Sequence, residues 1–462
     1  MRQQDTVNSP SAAYRLMSGK WQLLDALRGG TETMRMYGET YLPREPNETA
    51  KQYDARLKRS FLFPTYDDAI ANITAQPFSK VVSMSGALPE SFEGMWDDVD
   101  GSGTSITDFA IQVFDDAVDR GLSFIFVDFP STQSDLTLGE ERSLGLRPYF
   151  IHVRASQIIG YRSATIQGKE TLTQVRIREQ LIEPDGKFSE KEVSQVRVFN
   201  SDGTWELWRG KDKEDEWVLH DSGTHTFDGI PLVKVFTHRV GFMNAVPPLS
   251  KLADLNLAHW QSSSDQRNIL HYARVPILFR SGFTPEELDK PIQIGAAASQ
   301  GSANPDAKIS WVEHSGRAID AGAADVKRLE ERMEVLAAKP FISQRTGGIT
   351  ATSRAIDESR ASSNIQNWVR RLENGILGAF KLASKWTNVE LDESFGIEIF
   401  SEFSIANRSH DNVKVIESAR SRGDLDRETW LSEMKRYGIL SEHILVDELE
   451  DALEEEGDLL VE

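Results

Sequence analysis

The residues of this 462-residue chain most able to do chemistry are its carboxylates. Asp97, Asp98 and Asp100 sit beside Trp96. Hard divalent cations take such oxygen ligands. The spacing departs from a calcium loop, which closes on a glutamate missing here, so the cluster reads as a solvated acidic loop. The adjacent pairs Asp67-Asp68 and Asp115-Asp116 are the type that serves glycoside or phosphodiester hydrolysis. Neighbours on a helix do not face each other, however, and make poor partners for one substrate atom. The nine histidines are scattered and never adopt the H-E-x-x-H spacing of a zinc site. Gly101-Ser102-Gly103 lacks the spacing of a nucleophile elbow, and no G-x-x-x-x-G-K-[ST] phosphate loop occurs. With no cysteine there is no thiol nucleophile, disulfide framework or cysteine-based zinc site. The expectation is a protein that is not an enzyme and that needs no cofactor or metal. Arg422-Gly-Asp-Leu-Asp426 contains an integrin-type tripeptide, but it falls where one helix end needs glycine and the next needs an acidic cap.

None of the carboxylate clusters is organised by the most regular part of the chain, a series of helix, short strands, helix, loop and long helix in its second half. A helix starts after Pro247-Pro248 and repeats Leu249, Leu252, Leu255, Ala258 and His259, with a polar middle from Gln261 to Arg267. Being only half apolar, it does not suit a membrane span. Val275, Ile277 and Phe279 alternate like a strand, and Ile309, Trp311 and Val312 make a second apolar run across the Gly/Ala/Ser-rich loop from Gly295 to Pro305. Ile319, Ala323, Val326, Leu329, Met333 and Leu336 form a narrow stripe on a second helix. That helix stops at Pro340. A polar loop from Phe341 to Thr352 follows, and Ser353 reads as the N-cap of a helix of about thirty residues ending near Trp386.

Upstream, Ala13 to Arg28 reads as an amphipathic helix closed by Gly29-Gly30. Thr49 and Gln52 have capping-box spacing, with Tyr53, Leu57 and Phe61 on one helix face. Pro64 interrupts, and Tyr66 to Ile73 resumes as helix. Ser105 opens a helix that ends at Gly121, and Leu122 to Phe129 is a strand apolar on both faces. Seven candidate strands follow: 149–153, 158–162, 172–182, 193–199, 204–208, 216–220 and 232–236. Asp185-Gly186 and Asp202-Gly203 lie at turns, and the set reads as one antiparallel sheet with a wet face. Gly396 to Phe403 reads as a further strand, followed by two short helices around Val413 and Trp430. Residues 447–462 hold nine acidic side chains and no basic one. The start carries no apolar stretch of the signal-peptide kind.

The order of these segments resembles the core of tailed-bacteriophage portal proteins, the head-to-tail connectors. PPLSKLADLNLAHWQSSSDQRNILHYARVPILF (247–279) is similar to that family's passage from stem to clip. AADVKRLEERMEVLAAKPFISQRTGGITATSRAIDESRASSNIQNWVRRLENGI (323–376) resembles its second stem helix, tunnel loop and supporting helix. YLPREPNETAKQYDARLKRSFLFPTYDDAIANITAQPF (41–78) resembles the opening of an allied phage-protein group. The resemblance implies an α+β portal-like fold. Its parts would be an N-terminal region and α/β wing (1–248), two stem helices (249–272 and 318–338) around a strand-bearing clip (273–317), a tunnel loop (339–352), a long helix returning to the wing (353–400), and a helical crown with acidic tail (401–462). It further implies a channel at one capsid vertex for DNA packaging and ejection, formed by a homo-oligomeric, dodecameric ring, assembled in the host cytoplasm and resident in the virion. By resemblance the partners are double-stranded DNA, the terminase large subunit, a head-completion adaptor, and the major capsid and scaffolding proteins, with no membrane. Gln344, Arg345, Thr346 and Ile349 of the tunnel loop would face DNA, and Phe283, Ile292, Ile294 and Trp311 of the clip would dock partners. The net charge of −20 argues against a surface that grips DNA and is compatible with a passage that repels the polymer and limits sticking; simple solubility accounts for it equally well. A capsid or tail component without a channel, and a metal-dependent hydrolase using scattered carboxylates, are the alternatives.

Overall fold

A computed structural model describes residues 6–130, 146–211, 216–274, 277–289, 301–312, 316–337, 351–401, 410–436 and 439. The fold is α+β. Helix α1 (Ala12–Arg28) begins where Ser11 accepts a hydrogen bond from the Tyr14 amide, and ends at Gly29. α2 (Gly30–Tyr37) follows. α3 (Ala50–Arg59) carries the full capping box, with Thr49 and Gln52 each bonding the other's backbone. Phe61 lies outside this helix, contrary to the four-residue repeat, because Ser60 turns to extended backbone and ends it. α4 (Thr65–Ala75) resumes after Pro64.

Strand β1 (Ser83–Ser85) and the short α5 (Gly94–Asp97) lead to α6 (Ile106–Arg120), which ends at Gly121 with φ 89°. A Cβ there would lie 2.6 Å from the Val246 carbonyl oxygen, so both the left-handed backbone and the close approach require glycine. β2 (Leu122–Asp128) is buried from Leu122 to Val127, as its unbroken apolar run predicts. It is the middle of a three-stranded antiparallel sheet between β3 (Tyr149–Val153) and β9 (Leu232–Phe236).

Between β3 and β9 the chain builds a five-stranded meander: β4 (Ile158–Ile166), β5 (Lys169–Pro184), β6 (Glu190–Asn200), β7 (Thr204–Gly210) and β8 (Trp217–Thr224). The single sheet expected from 149 to 236 is therefore two sheets. The strands with near-continuous apolar content join β2, where both faces are covered. The alternating ones keep to the meander, whose distal ends are wet. Phe126 of β2 packs on Phe199 of β6 with ring centroids 4.6 Å apart, which joins the two sheets. Asp185-Gly186 and Asp202-Gly203 occupy turns as expected, with both glycines at positive φ.

The second half contains α7 (Ser250–Ala273), β10 (Ile277–Ser281), α8 (Pro285–Leu288), β11 (Lys308–Val312), α9 (Arg317–Ala337), α10 (Ala351–Thr387), β12 (Gly396–Glu398), α11 (His410–Ser421) and α12 (Arg427–Arg436). α10 runs for 37 residues and is already helical at Ala351, so Ser353 lies inside it and is not its N-cap. Its buried line of Ile365, Val369, Leu372, Ile376, Phe380 and Ala383 lies over β2 and β9. Gly375 lets the helix sit down on the sheet: a Cβ at that position would come within 2.6 Å of Val235 Cγ2. β12 is shorter than the strand expected from 396 to 403. It pairs with β1, and the Ile399 amide leaves the ladder to donate to Glu373 Oε1 at 2.9 Å. Gly423 at φ 79° closes α11, and the Asp426 carboxylate accepts from the Thr429 amide to open α12, so the Arg-Gly-Asp tripeptide lies in a helix-to-helix turn.

Candidate functional site: an antiparallel helix pair carrying a β hairpin

α7 and α9 run antiparallel. Ser262 Oγ donates to Asp325 Oδ2 at 2.9 Å, His259 Nε2 lies 3.2 Å from Glu330 Oε1, and Gln266 Nε2 donates to the Ile319 carbonyl at 2.8 Å. As positions on α7 advance, their partners on α9 recede. Hydrogen bonds from Arg328 and Ser262 hold the Asp325 carboxyl below the usual carboxylate range.

The polar middle of α7 also faces the N-terminal helices. Asn256 is buried, accepts from the Tyr66 amide at 3.0 Å and donates to the Phe63 carbonyl at 2.9 Å. Ser264 bonds Ser60 at 2.7 Å, and Gln261 donates to the Tyr41 carbonyl at 3.0 Å. Arg56, only 3% exposed, lays its guanidinium on Glu48 (2.9 and 2.8 Å), the Pro43 carbonyl (2.7 Å) and Asp265 (3.2 Å). The Arg56 hydrogen bonds depress the Glu48 carboxyl below its ordinary value. Burial, opposed by the Arg56 charge, raises that of Asp265. These residues explain a helix too polar for a core yet firmly seated: buried polar groups are tolerated when they are bonded.

Burial fades along the pair. On α7 the buried residues run from Leu252 to Ser264, and none of the described residues beyond Ser264 is buried. On α9 Met333, near the opposite end, is the buried one among those described. The 24-residue α7 spans about 36 Å. Contacts to the N-terminal region continue through Asp265, Arg267 and Asn268, which meet Arg56, Phe61 and Arg59; past them Ile269 to Ala273 are exposed or half covered, and on α9 Ile319, Val326 and Leu329 are half covered.

At the outer end sits the hairpin β10–β11, in register Leu278 opposite Trp311 and Phe279 opposite Ser310. Phe279 is 53% exposed, Trp311 52%, Val312 50% and Ile309 43%. Since alternate strand residues face opposite ways, apolar side chains stand on both faces of this ribbon. The connection is braced by α8, opened by a Thr284/Glu287 capping box with Pro285 at its first position, and by Arg280 over the Phe283 ring. The pattern T-P-E-E announces that short helix and went unread in the sequence.

Of the residues expected to dock partners, Trp311 is exposed on β11 and Phe283 is half-buried beside Arg280. Ile292 and Ile294 lie outside the described residues, as do Gln344, Arg345, Thr346 and Ile349. The acidic loop turns its carboxylates inward on itself. Asp98 accepts from the Gly103 amide and pairs with Arg147, while Asp100 accepts from the Ser102 amide and the Thr104 hydroxyl. Asp115 pairs with Arg28, and Asp116 turns instead to the Ala155 amide, so the two do not converge.

Residues 248–387, from the start of α7 to the end of α10, match a family described as a domain of unknown function, DUF4055. That is less than a third of the chain. No curated protein matches it. Solved structures with a similar chain course include three at 10% identity. One is a chain from the neck of an empty GTA particle with C6 symmetry, at TM-score 0.44, covering 81% of this chain and 90% of that one. Another is from the virion of a native gene transfer agent particle, at 0.45, covering 88% and 98%. A third is from the neck of a native GTA particle with C12 symmetry, at 0.44, covering 88% and 99%.

Proposed function

We propose that this chain is the portal protein of a tailed bacteriophage, a subunit of a ring that encloses a DNA channel at one capsid vertex. The observation that carries this reading is the antiparallel pair α7–α9, whose outer end and α9 apolar stripe the described residues leave only half covered. A narrow apolar stripe packs one neighbour and leaves the rest wet. Copies set side by side around an axis would cover the half-exposed Ile319, Val326 and Leu329, and cyclic closure supplies such neighbours without leaving an open edge. In this reading α7 and α9 are the stem. The hairpin with Phe283 and Trp311 is the clip, which would dock the terminase motor during packaging and a head-completion adaptor afterwards. The sheets belong to the wing, and α11 and α12 to the crown. Residues 339–352 before α10 are the tunnel loop, with Gln344, Arg345 and Thr346 toward the duplex.

Native mass determination with class-averaged electron micrographs tests the reading. A ring with an open centre, near 620 kDa for a dodecamer of 51.9 kDa chains, is the expected result. A chain that stays monomeric at high concentration, or a particle with a solid centre, overturns it.

A further inference from the structure

The chain has a net charge of −20, yet three cationic side chains meet in one cleft whose described lining holds no carboxylate. The cleft, about 360 Å³, lies where β9 passes beside α10 and is lined by Lys234, Phe236, Arg239, Arg371, Asn374 and Gly375. Lys234 Nζ stands 3.6 Å from the centre of the Phe242 ring, and the Arg239 guanidinium lies over the Phe236 ring at 5.2 Å. Arg239 Nε donates to the Gly241 carbonyl at 2.9 Å, and Arg371 Nη1 to the Thr237 carbonyl at 2.8 Å. Rings and neutral carbonyls hold these groups in place without neutralising them. Among the described residues none of the three forms an ion pair, whereas Arg28, Arg56, Arg120, Arg147 and Arg197 each face a carboxylate. Burial first, and then the Arg239 charge, pushes the Lys234 amine below its ordinary value, with the Glu170 carboxylate opposing them. Arg239 and Arg371 are exposed, so their outer guanidinium nitrogens are open to a ligand. Planar guanidinium forks suit oxyanions.

We propose that this cleft binds a carboxylate-rich peptide and that its occupant is segment 447–462 of this chain. That segment carries nine Asp and Glu and no Lys or Arg. Its carboxylates are the closest match in the sequence to three convergent cations. A long polyphosphate has the same local chemistry, but the segment is tethered to the same chain, which raises its effective concentration at the cleft. The proposal is independent of the ring reading.

Hydrogen–deuterium exchange tests it on three proteins: the full chain, a chain ending at residue 446, and full-length Arg239→Glu, whose exposed side chain is not part of the core. Amides of residues 233–240 and 370–376 are expected to exchange at least about threefold more slowly in the full chain than in the shortened one. A synthetic peptide of residues 447–462 should restore that protection to the shortened chain, though not in about 0.5 M salt, where screening is nearly complete within a few ångströms. Arg239→Glu should exchange like the shortened chain. Equal exchange in the full and shortened chains overturns the proposal. A DNA duplex that protects these amides more strongly than the peptide also overturns it, and reassigns the cleft to phosphate.

Discussion

Arg56→Ala is the most informative perturbation of the helix-pair anchor. The guanidinium is 3% exposed and the Glu48 side chain 8%, so truncating Arg56 strands a nearly buried carboxylate. Breaking a buried pair from one side costs about 3–5 kcal/mol, mostly for the charge left behind. The Asp265 contact adds little, because that side chain is 54% exposed and water screens it. At about 1.36 kcal/mol per tenfold, a loss of 3 kcal/mol lowers the protection of amides in residues 43–60 and 256–266 roughly 150-fold in native-state hydrogen exchange. Glu48→Ala combined with Arg56→Ala should recover much of that loss, giving a coupling of about 2 kcal/mol or more. The pH dependence follows from the depressed Glu48 value. Its stabilising contribution is present above the ordinary carboxylate pKa and is lost as pH falls through the lower folded value. The gap between wild type and variant should therefore narrow as pH falls below the ordinary glutamate value of about 4.3. A loss of protection under about fivefold at neutral pH, or a double variant whose loss equals the sum of the two single losses, refutes the reasoning.

Gly375→Ala should destabilise by about 1–3 kcal/mol despite alanine's better helix propensity, because the added methyl meets a core valine on a sheet that cannot retreat; a denaturant midpoint measures it. Tyr66→Phe removes the hydroxyl that donates to buried Asp119 at 2.8 Å and should cost about 1–3 kcal/mol in the same assay, with no change in assembly. If the proposed portal reading holds, replacing Phe279 and Trp311 together by Ser should leave circular dichroism and oligomer mass unchanged while abolishing capture of a packaging motor, since both side chains are half exposed and hold no core together. On the same proposed reading, deleting residues 344–349 should preserve assembly and impair DNA packaging or retention; normal packaging removes that role from the segment.

Local chemistry made much of the fold readable in advance. Caps at Thr49 and Ser105, the left-handed stop at Gly121, and the Asp-Gly turns all sit where residue type demands them. Pairing between distant strands was less legible. Nothing local tells Tyr149–Val153 and Leu232–Phe236 to leave the meander and flank Leu122–Asp128, because that choice depends on which faces end up covered. The polar stretch of α7 was visible as an oddity, but its partners, Tyr41, Arg56, Ser60 and Asp325, come from more than one part of the chain. The basic cleft was invisible for the same reason: Lys234, Arg239 and Arg371 are dilute in sequence and meet only when the long helix crosses its strand.

The bonded seam between α7 and α9 has a mechanical corollary. Greasy contacts are non-directional and let two helices slide, whereas donors and acceptors fixed at Ser262, His259 and Gln266 admit a single alignment. A slip of one turn, about 5.4 Å, would forfeit all of them together. The pair is therefore keyed in register: sliding one helix along the other costs these hydrogen bonds at once, so shear along its length is resisted.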